Sequence, residues 1–325
     1  MDVHAAALSL VDDARPLHPR LDALVRRASS AAPSVTAVVM PVDGLSIEAA
    51  AEAAMAGLMA PILVGPRSCI EAAAARVGVD IGGFRIVEAD DATDAATKAV
   101  AMARDGEVSM IMKGSLHTDD LMRVVVSAQG LRTRRRISHS FVMDVPHFPR
   151  TVLVTDAAIN VRPTLMEKRD IIQNAIDLAA ILGIVTPRVA VLAAVELVNL
   201  DMPSTIEAAA LSKMADRGQI TGGLVDGPLA FDNAVNLEAA RVKGILSPVA
   251  GLADILVVPD LEAGNMLAKE LTFMAGAGAA GVVTGARVPI ILTSRADSSE
   301  ARIASCAVAS LMAQAACGTS YRDAA

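Results

Sequence analysis

VSMIMKGSLHTDDLMR, residues 108–123, reads as a buried strand that stops at Lys113-Gly114 and passes through a short polar turn into a helix. A brief apolar run closed by glycine suits a strand covered on both faces. Thr118 or Asp119 stands where a helix N-cap is needed. The same strand-then-helix unit recurs upstream. TAVVMPVD (36–43), PILVGP (61–66) and FRIVEAD (84–90) are apolar runs stopped by Pro, Gly or Asp. An Ala-rich helix follows the first run through Leu58, with Ser46 as its expected cap; a second spans 69–76. A third, DATDAATKAVAMARDG, has Thr93 or Asp94 near its start. Before all of these, 19–32 is an amphipathic helix with Leu21, Leu24, Val25 and Ala28 on one face. Strands alternating with helices predict a parallel sheet with helices on both faces.

The rhythm changes near PHFPR (146–150) and then restarts. TVLVTDAA (151–158), RVAVLAAVE (188–196), GLVDGPL (223–229), ADILVVPD (253–260) and VPIILTS (288–294) read as strands. EKRDIIQNAIDLAAILG (167–183) is a helix closed by Gly183, 205–217 is another, and a long helix ends the chain. The fold class expected is therefore α/β, in two parts. There is no internal repeat and no low-complexity tail.

The 325 residues give room for about two domains. Hydrophobic residues make up 53% but aromatics only 2%, so the core must be built of Ala, Val, Leu, Ile and Met. A net charge of −7 and the lack of stacking rings argue against nucleic acid as a partner. A local arginine cluster can still hold a small anion. Cys69, Cys306 and Cys317 lack C-x-x-C spacing, which predicts reduced thiols and a cytoplasmic location. No signal peptide and no long uncharged apolar span is expected, hence no membrane.

In open α/β sheets, ligands sit beyond the carboxyl ends of the strands. There, Ser115, His117 and Thr118 follow Lys113-Gly114 and precede a helix, an arrangement that favours an anion. It is no P-loop, and an ordinary capped turn is the alternative. LRTRRRISHS (131–140) holds Arg132, Arg134, Arg135 and Arg136, a run that reads as a solvated face, with Ser138-His139 just before an apolar strand. Gly227-Pro228 marks a turn with Asp226, Asp232 and Asn233 around it. Asp260, Glu262, Gly264 and Asn265 lead into a helix. These acids lack regular metal-ligand spacing, and Asp and Asn also build turns. In PIILTSRADSSE (289–300), a strand ends beside Ser294 and Arg295 at a helix start. A guanidinium fork next to a helix N-terminus suits a phosphate. Asp297 and Glu300 fit a capping box as well as they fit chemistry.

At VDGPLAFDNAV (225–235), KGILSPVAGLADILVVPDLEAGNMLAK (243–269) and VPIILTSRADSSE (288–300), the chain resembles the phosphate acetyltransferase and phosphate butyryltransferase family. The likeness runs from about residue 61 nearly to the end. It implies two three-layer α/β domains with a cleft between them, like isocitrate and isopropylmalate dehydrogenases. Residues 1–148 with 285–325 would form the first domain and 149–284 the second. It implies acyl-CoA plus phosphate giving acyl phosphate plus CoA, by direct transfer in a ternary complex. It implies that no organic cofactor or metal is bound and that coenzyme A is a substrate. A homodimer and an acetate- or butyrate-type kinase as downstream partner are implied too.

By the same resemblance Arg295 grips the phosphoryl group and Ser294 binds the oxyanion or the CoA sulfur. Thr118 and Arg123 match the family's Thr-x-x-x-x-Arg stretch and complete a phosphate site with Ser115 and Ser138. Asp226, Gly227, Pro228, Asn265 and Lys269 fall to the CoA and acyl pocket. A carboxylate, Glu300 or Asp297, takes the thiol proton. Acetyltransferase-type members carry Asp six residues after the motif Arg, where this chain has Ala301. Ala268 replaces a common Tyr. At Ala301 the chain looks more like the butyryl side, although acetyl is the first expectation and propionyl or butyryl the next. Other readings are a metal- and NAD-dependent dehydrogenase, a relative using acyl carrier protein, and a non-catalytic acyl-CoA binding protein.

Overall fold

A computed structural model describes residues 17–292 and 296–318. The chain runs α1 (Pro19–Ser29), β1 (Ser34–Val39), α2 (Gly44–Met55), β2 (Met59–Gly65), α3 (Arg67–Val77), β3 (Arg85–Glu88), α4 (Ala92–Arg104), β4 (Met110–Lys113) and α5 (Thr118–Val125). It continues with β5 (Ser138–Asp144), β6 (Val152–Thr155), α6 (Leu165–Ile181), β7 (Arg188–Leu192), α7 (Pro203–Asp216) and β8 (Leu224–Leu229). Then come α8 (Phe231–Val235), α9 (Leu237–Val242), β9 (Ile255–Val257), α10 (Leu261–Met274), β10 (Gly278–Thr284), β11 (Ile290–Ile291) and α11 (Ser299–Gly318).

These strands form a single eleven-stranded sheet in the order β3-β2-β1-β4-β11-β10-β5-β6-β9-β7-β8. The sheet is mixed rather than parallel. β5 runs antiparallel to both β10 and β6, and β10 is antiparallel to β11. The strand β10 was not foreseen. Its sequence GAAGVVT begins with small residues that carry no strand signal, and a five-residue connection turns it straight into β11 without a helix.

Helices cover both faces. Small side chains permit close seating: α2 buries Ala49, Ala50, Ala51 and Ala53, and α4 buries Ala95, Ala96, Ala99 and Ala103. On one face a continuous core takes in α1, α2, α3, α6, α7 and α11. On the other, the core is divided: one cluster lies under α4 and α5, another under α8, α9 and α10. The carboxylate of Asp144, at the end of β5, pins α1 to the middle of the sheet. It pairs with Arg20 and accepts the Arg20 backbone N–H at 2.7 Å.

Local chemistry corrects several expectations. Asp43, not Ser46, caps α2, accepting from the Ser46 N–H at 2.8 Å. Asp91 caps α4, accepting from Thr93 and Asp94. At α5 neither Thr118 nor Asp119 is the cap; His117 holds that position and no side chain caps the helix. Gly227-Pro228 is not a turn but the middle of β8, an edge strand, where a missing ladder donor is tolerated. A Cβ at Gly227 would stand 2.7 Å from the Val191 carbonyl oxygen, so glycine lets β8 close on β7. Ser138 and His139 lie inside β5 rather than ahead of it. α6 begins with a capping box of Thr164 and Glu167. Among the described residues no helix is long and apolar enough to cross a membrane.

Candidate active site

From β1 the chain passes to β2 and β3 on one side and returns on the other side of β1 as β4. The helix after β1 packs on one face of the sheet and the helix after β4 on the other. A crevice opens at such a switch point, beyond the carboxyl ends of the two strands.

Backbone and hydroxyl groups knit its floor. Gly114 N donates to Val39 O at 2.8 Å and Ser115 N to Met40 O at 2.8 Å. Val42 N donates to Ser115 Oγ at 3.3 Å, and Ser46 Oγ lies 3.5 Å from the same oxygen. A Cβ on Gly114 would come within 2.5 Å of Val39 O, so only glycine allows the two loops to touch. The Lys113 ammonium donates to Gly114 O at 3.1 Å and Leu116 O at 3.3 Å, which holds the positive charge at the rim. Thr118 is half-buried at the first position of α5. With no side-chain cap there, first-turn N–H groups are available to an anion.

β11 brings the third loop. It pairs in parallel with β4, Ile290 opposite Ile111 and Ile291 opposite Met112, so Leu292 leaves the sheet beside Lys113. Ser294 and Arg295 lie outside the described residues. From Ala296 the chain enters α11, and its start is held to α2 by Ser299 Oγ donating to Glu52 at 2.5 Å. α11 begins at Ser299, one residue later than the expected capping box requires. Ser298 Oγ accepts from Ala301 N at 3.2 Å, so Ser298 acts as a side-chain cap at the start of α11. Asp297 is half-buried, and its carbonyl oxygen accepts from Arg302 Nη1 at 2.6 Å; Glu300 is exposed.

Other candidates fall elsewhere. Arg123 is five residues on from Thr118, roughly 140° around the helix. Its side chain is 71% exposed and pairs with Asp120 at 3.3 Å. Ser138 is fully buried, 3.1 Å from Thr284 Oγ1, and accepts from Asn174 Nδ2 at 2.9 Å. Asp226 accepts from Gly227 N at 2.8 Å on the edge strand, and Pro228 is buried next to it. Asn265 and exposed Lys269 sit on α10, with Asn265 Nδ2 donating to Ala157 O at 3.3 Å. Two strands, β7 and β9, separate β8 from β6, on which α10 packs. The chain segments 225–228 and 265–269 are thus not neighbours along the sheet.

Residues 156–160 went unnoticed in the sequence. Asp156, 3% exposed at the end of β6, accepts from Ala158 N and Ile159 N at 3.0 Å and from Asn160 Nδ2 at 2.5 Å. Burial raises its pKa, against the pull of those donors. Asn160 in turn accepts from Arg136 Nε at 2.6 Å. Only the Asp-x-x-x-Asn spacing just after a strand could have signalled this. His139, also central, is buried and neutral: burial lowers its pKa to about 4, and Nδ1 has no partner among the described residues. Among the described residues no group of three His, Cys, Asp or Glu side chains could hold a metal ion.

Comparison with known proteins adds a second line. The family described as Phosphate acetyl/butaryl transferase matches residues 90–310. A phosphate acetyltransferase of Rhizobium meliloti is 60% identical over 300 residues, covering 92% of this chain and 95% of its own. A phosphate butyryltransferase of Clostridium acetobutylicum is 41% identical, over 89% of this chain and 97% of its own. A branched-chain phosphotransacylase of Enterococcus faecalis V583 superimposes with a TM-score of 0.76 at 28% identity, covering 86% of this chain and 99% of that structure.

Proposed function

This chain belongs to the phosphate acetyl/butyryl transferase family, and we propose that the acyl group it carries is acetyl. It transfers an acyl group between coenzyme A and inorganic phosphate. The observation that carries the acetyl reading is the 60% identity, over nearly the whole chain, to a phosphate acetyltransferase, against 41% to a butyryl enzyme. Ala301 favours the butyryl alternative, since acetyl-type members carry Asp there.

In the forward direction a phosphate oxygen attacks the thioester carbonyl carbon. A C–O bond forms, the carbonyl oxygen takes up negative charge, and collapse breaks the C–S bond. The proton of the phosphate ends on the CoA sulfur. What the protein must supply is position and charge. The switch-point crevice supports this reading: the uncapped start of α5 and the Lys113 ammonium are set to hold phosphate. Ser115 and Thr118 add hydroxyls. We assign Arg295 to the phosphoryl group, Ser294 to the oxyanion or sulfur, and the proton transfer to Glu300 or Asp297.

The domain division into 1–148 with 285–325, and 149–284, is part of the same proposal. It is supported by the pairing of β11 with β4 and by the divided core on one face. We also propose a cytoplasmic homodimer working with an acetate-type kinase that consumes acetyl phosphate. Exposed Leu197, Leu200, Leu246, Phe273 and Met274, all in the second half beyond residue 149, support a covered surface there.

The test is CoA release from acetyl-, propionyl- and butyryl-CoA, with and without phosphate, in metal-free buffer. Phosphate-dependent release fastest with acetyl-CoA is expected. A faster butyryl rate would overturn the acetyl assignment, and release indifferent to phosphate would overturn the reaction. Arg295→Ala should cost about a hundredfold or more in turnover, as removal of a charge-stabilising donor does.

A further inference from the structure

Two cationic side chains are buried among the described residues, Lys168 at 5% exposed and Arg302 at 8%. Lys168 has the Glu207 carboxylate against it. Arg302, in the first turn of α11, has no carboxylate partner among the described residues. Its Nη1 donates to the Asp297 carbonyl oxygen at 2.6 Å, a neutral acceptor, and its Nε is buried with no hydrogen-bond partner. One turn further along the helix stand Ser305 and Cys306, both buried, and burial pushes the Cys306 thiol up to about 12, so neither balances the charge. A guanidinium does not shed its proton, so the cost of burying it is offset only when an anion meets it.

Strand register places this charge. Val283 of β10 faces Ile290 of antiparallel β11, so Gly281 stands level with Leu292, which itself stands beside Lys113 at the end of β4. Gly281 N donates to Ser305 Oγ at 2.9 Å, which sets the height of α11 over the sheet. Further along the helix, Ser310 Oγ lies 3.3 Å from Ser34 Oγ at the start of β1, so α11 descends from the carboxyl ends of these strands towards the amino end of β1. Arg302 is three residues before Ser305, about 4.5 Å higher. It therefore lies beyond the carboxyl ends of β4 and β11, where the switch-point crevice opens. α11 flanks that crevice from the α2 face and α5 from the other. A side chain this enclosed is met by a small anion, and the reacting carbon of a thioester carries no charge. Resting on the acyl transfer reading, we propose that Arg302 is a further substrate-binding residue of the reaction, and that its counter-ion is the inorganic phosphate that attacks the thioester. Its Nε is the donor left to spare, and a charge shut off from water acts more strongly on that anion than an exposed one does.

The experiment measures turnover and binding separately. Arg302→Met keeps the aliphatic stem and removes the charge, Arg302→Lys keeps the charge and gives up the fork, and circular dichroism checks the fold of both. In turnover, Arg302→Met should raise KM for phosphate about tenfold or more, as loss of a charged hydrogen bond does. KM for acetyl-CoA should be nearly unchanged, and Arg302→Lys should recover part of the loss. Should Arg302→Met not fold, the ratio of the two KM values in Arg302→Lys decides, and it should still shift against phosphate. Without any acyl-CoA, inorganic phosphate should raise the melting temperature of the wild type, and Arg302→Met should need about tenfold more phosphate for the same rise. An arginine with a purely structural role would lower the melting temperature when replaced and leave the phosphate dependence as it is. Equal KM for phosphate in wild type and variant, equal rises in both KM values, or the same phosphate-induced shift in melting temperature would overturn the assignment. If phosphate stabilises the protein through Arg302 but no thioester shows phosphate-dependent cleavage, the reaction is what fails and the anion site stands.

Discussion

Replacing His139 by Leu should make the protein more stable, and most of all in mild acid. The imidazole lies in β5, 1% exposed, edge-on to Phe141 at a centroid distance of 4.5 Å. Its Nδ1 has no hydrogen-bond partner among the described residues, and burial lowers its pKa to about 4 from the ordinary 6.5. Between those two values the unfolded chain binds a proton that the folded chain refuses, so stability rises with pH across that window. At pH 5 the penalty is about 2 kcal/mol, and above pH 7 it vanishes. Leucine has similar bulk and no proton to take. It also removes an unpaired buried nitrogen, a gain of about 1 kcal/mol at any pH. At roughly 2 °C per kcal/mol for a chain this long, the melting temperature should rise by about 2 °C at pH 7.5 and about 6 °C at pH 5. Scanning calorimetry of both proteins from pH 4.5 to 8 measures the difference. Other titrating groups, Asp156 included, are common to the two proteins and largely cancel. Parallel curves, or a variant less stable at every pH, would refute the reasoning and mean that the imidazole has a polar partner.

Four further substitutions test other parts of the structure. Ser298→Ala should cost about 1 kcal/mol through loss of the α11 cap; Glu300→Gln should leave the melting temperature alone and lower turnover, and unchanged turnover would take the proton transfer away from Glu300. Glu207→Ala should destabilise by about 3 kcal/mol, because it strips the partner from Lys168, whose side chain is 6% exposed, and leaves a buried charge; a denaturant midpoint within error of wild type would contradict this. Gly281→Ala should cost about 1–3 kcal/mol by overpacking, since the new methyl would stand 2.9 Å from His139 Nε2 and 3.2 Å from Phe141; the loss should shrink when His139→Ala is added, and an unshrunken loss would place the strain elsewhere.

Much of this protein is determined by short-range sequence signals. Short apolar runs located ten of the eleven strands, and Ala-rich periodicity located the helices around the first half of the sheet, because each element's own residues set its period and its ends. The three loops that carry the proposed chemistry, at Lys113-Gly114, Ser294-Arg295 and Asp297-Glu300, stood out for the same reason. What only the tertiary structure decided was pairing. That β10 runs against β5, that β11 lies beside β4, and that Ser138 is sealed against Asn174 and Thr284 all depend on partners well over a hundred residues away, Asn174 excepted at more than thirty. Capping was decided there as well, since Asp43, Asp91 and Ser298 compete with hydroxyl and carboxyl neighbours one to three residues away, and the winner is fixed by where the packed helix begins. The arginine run shows the limit most clearly. As a string it is a patch of charge; Asp177 and Glu167, brought over by α6, hold two of its members, while Arg132 and Arg134 have no carboxylate partner among the described residues, and no local pattern encodes which of the arginines is left over.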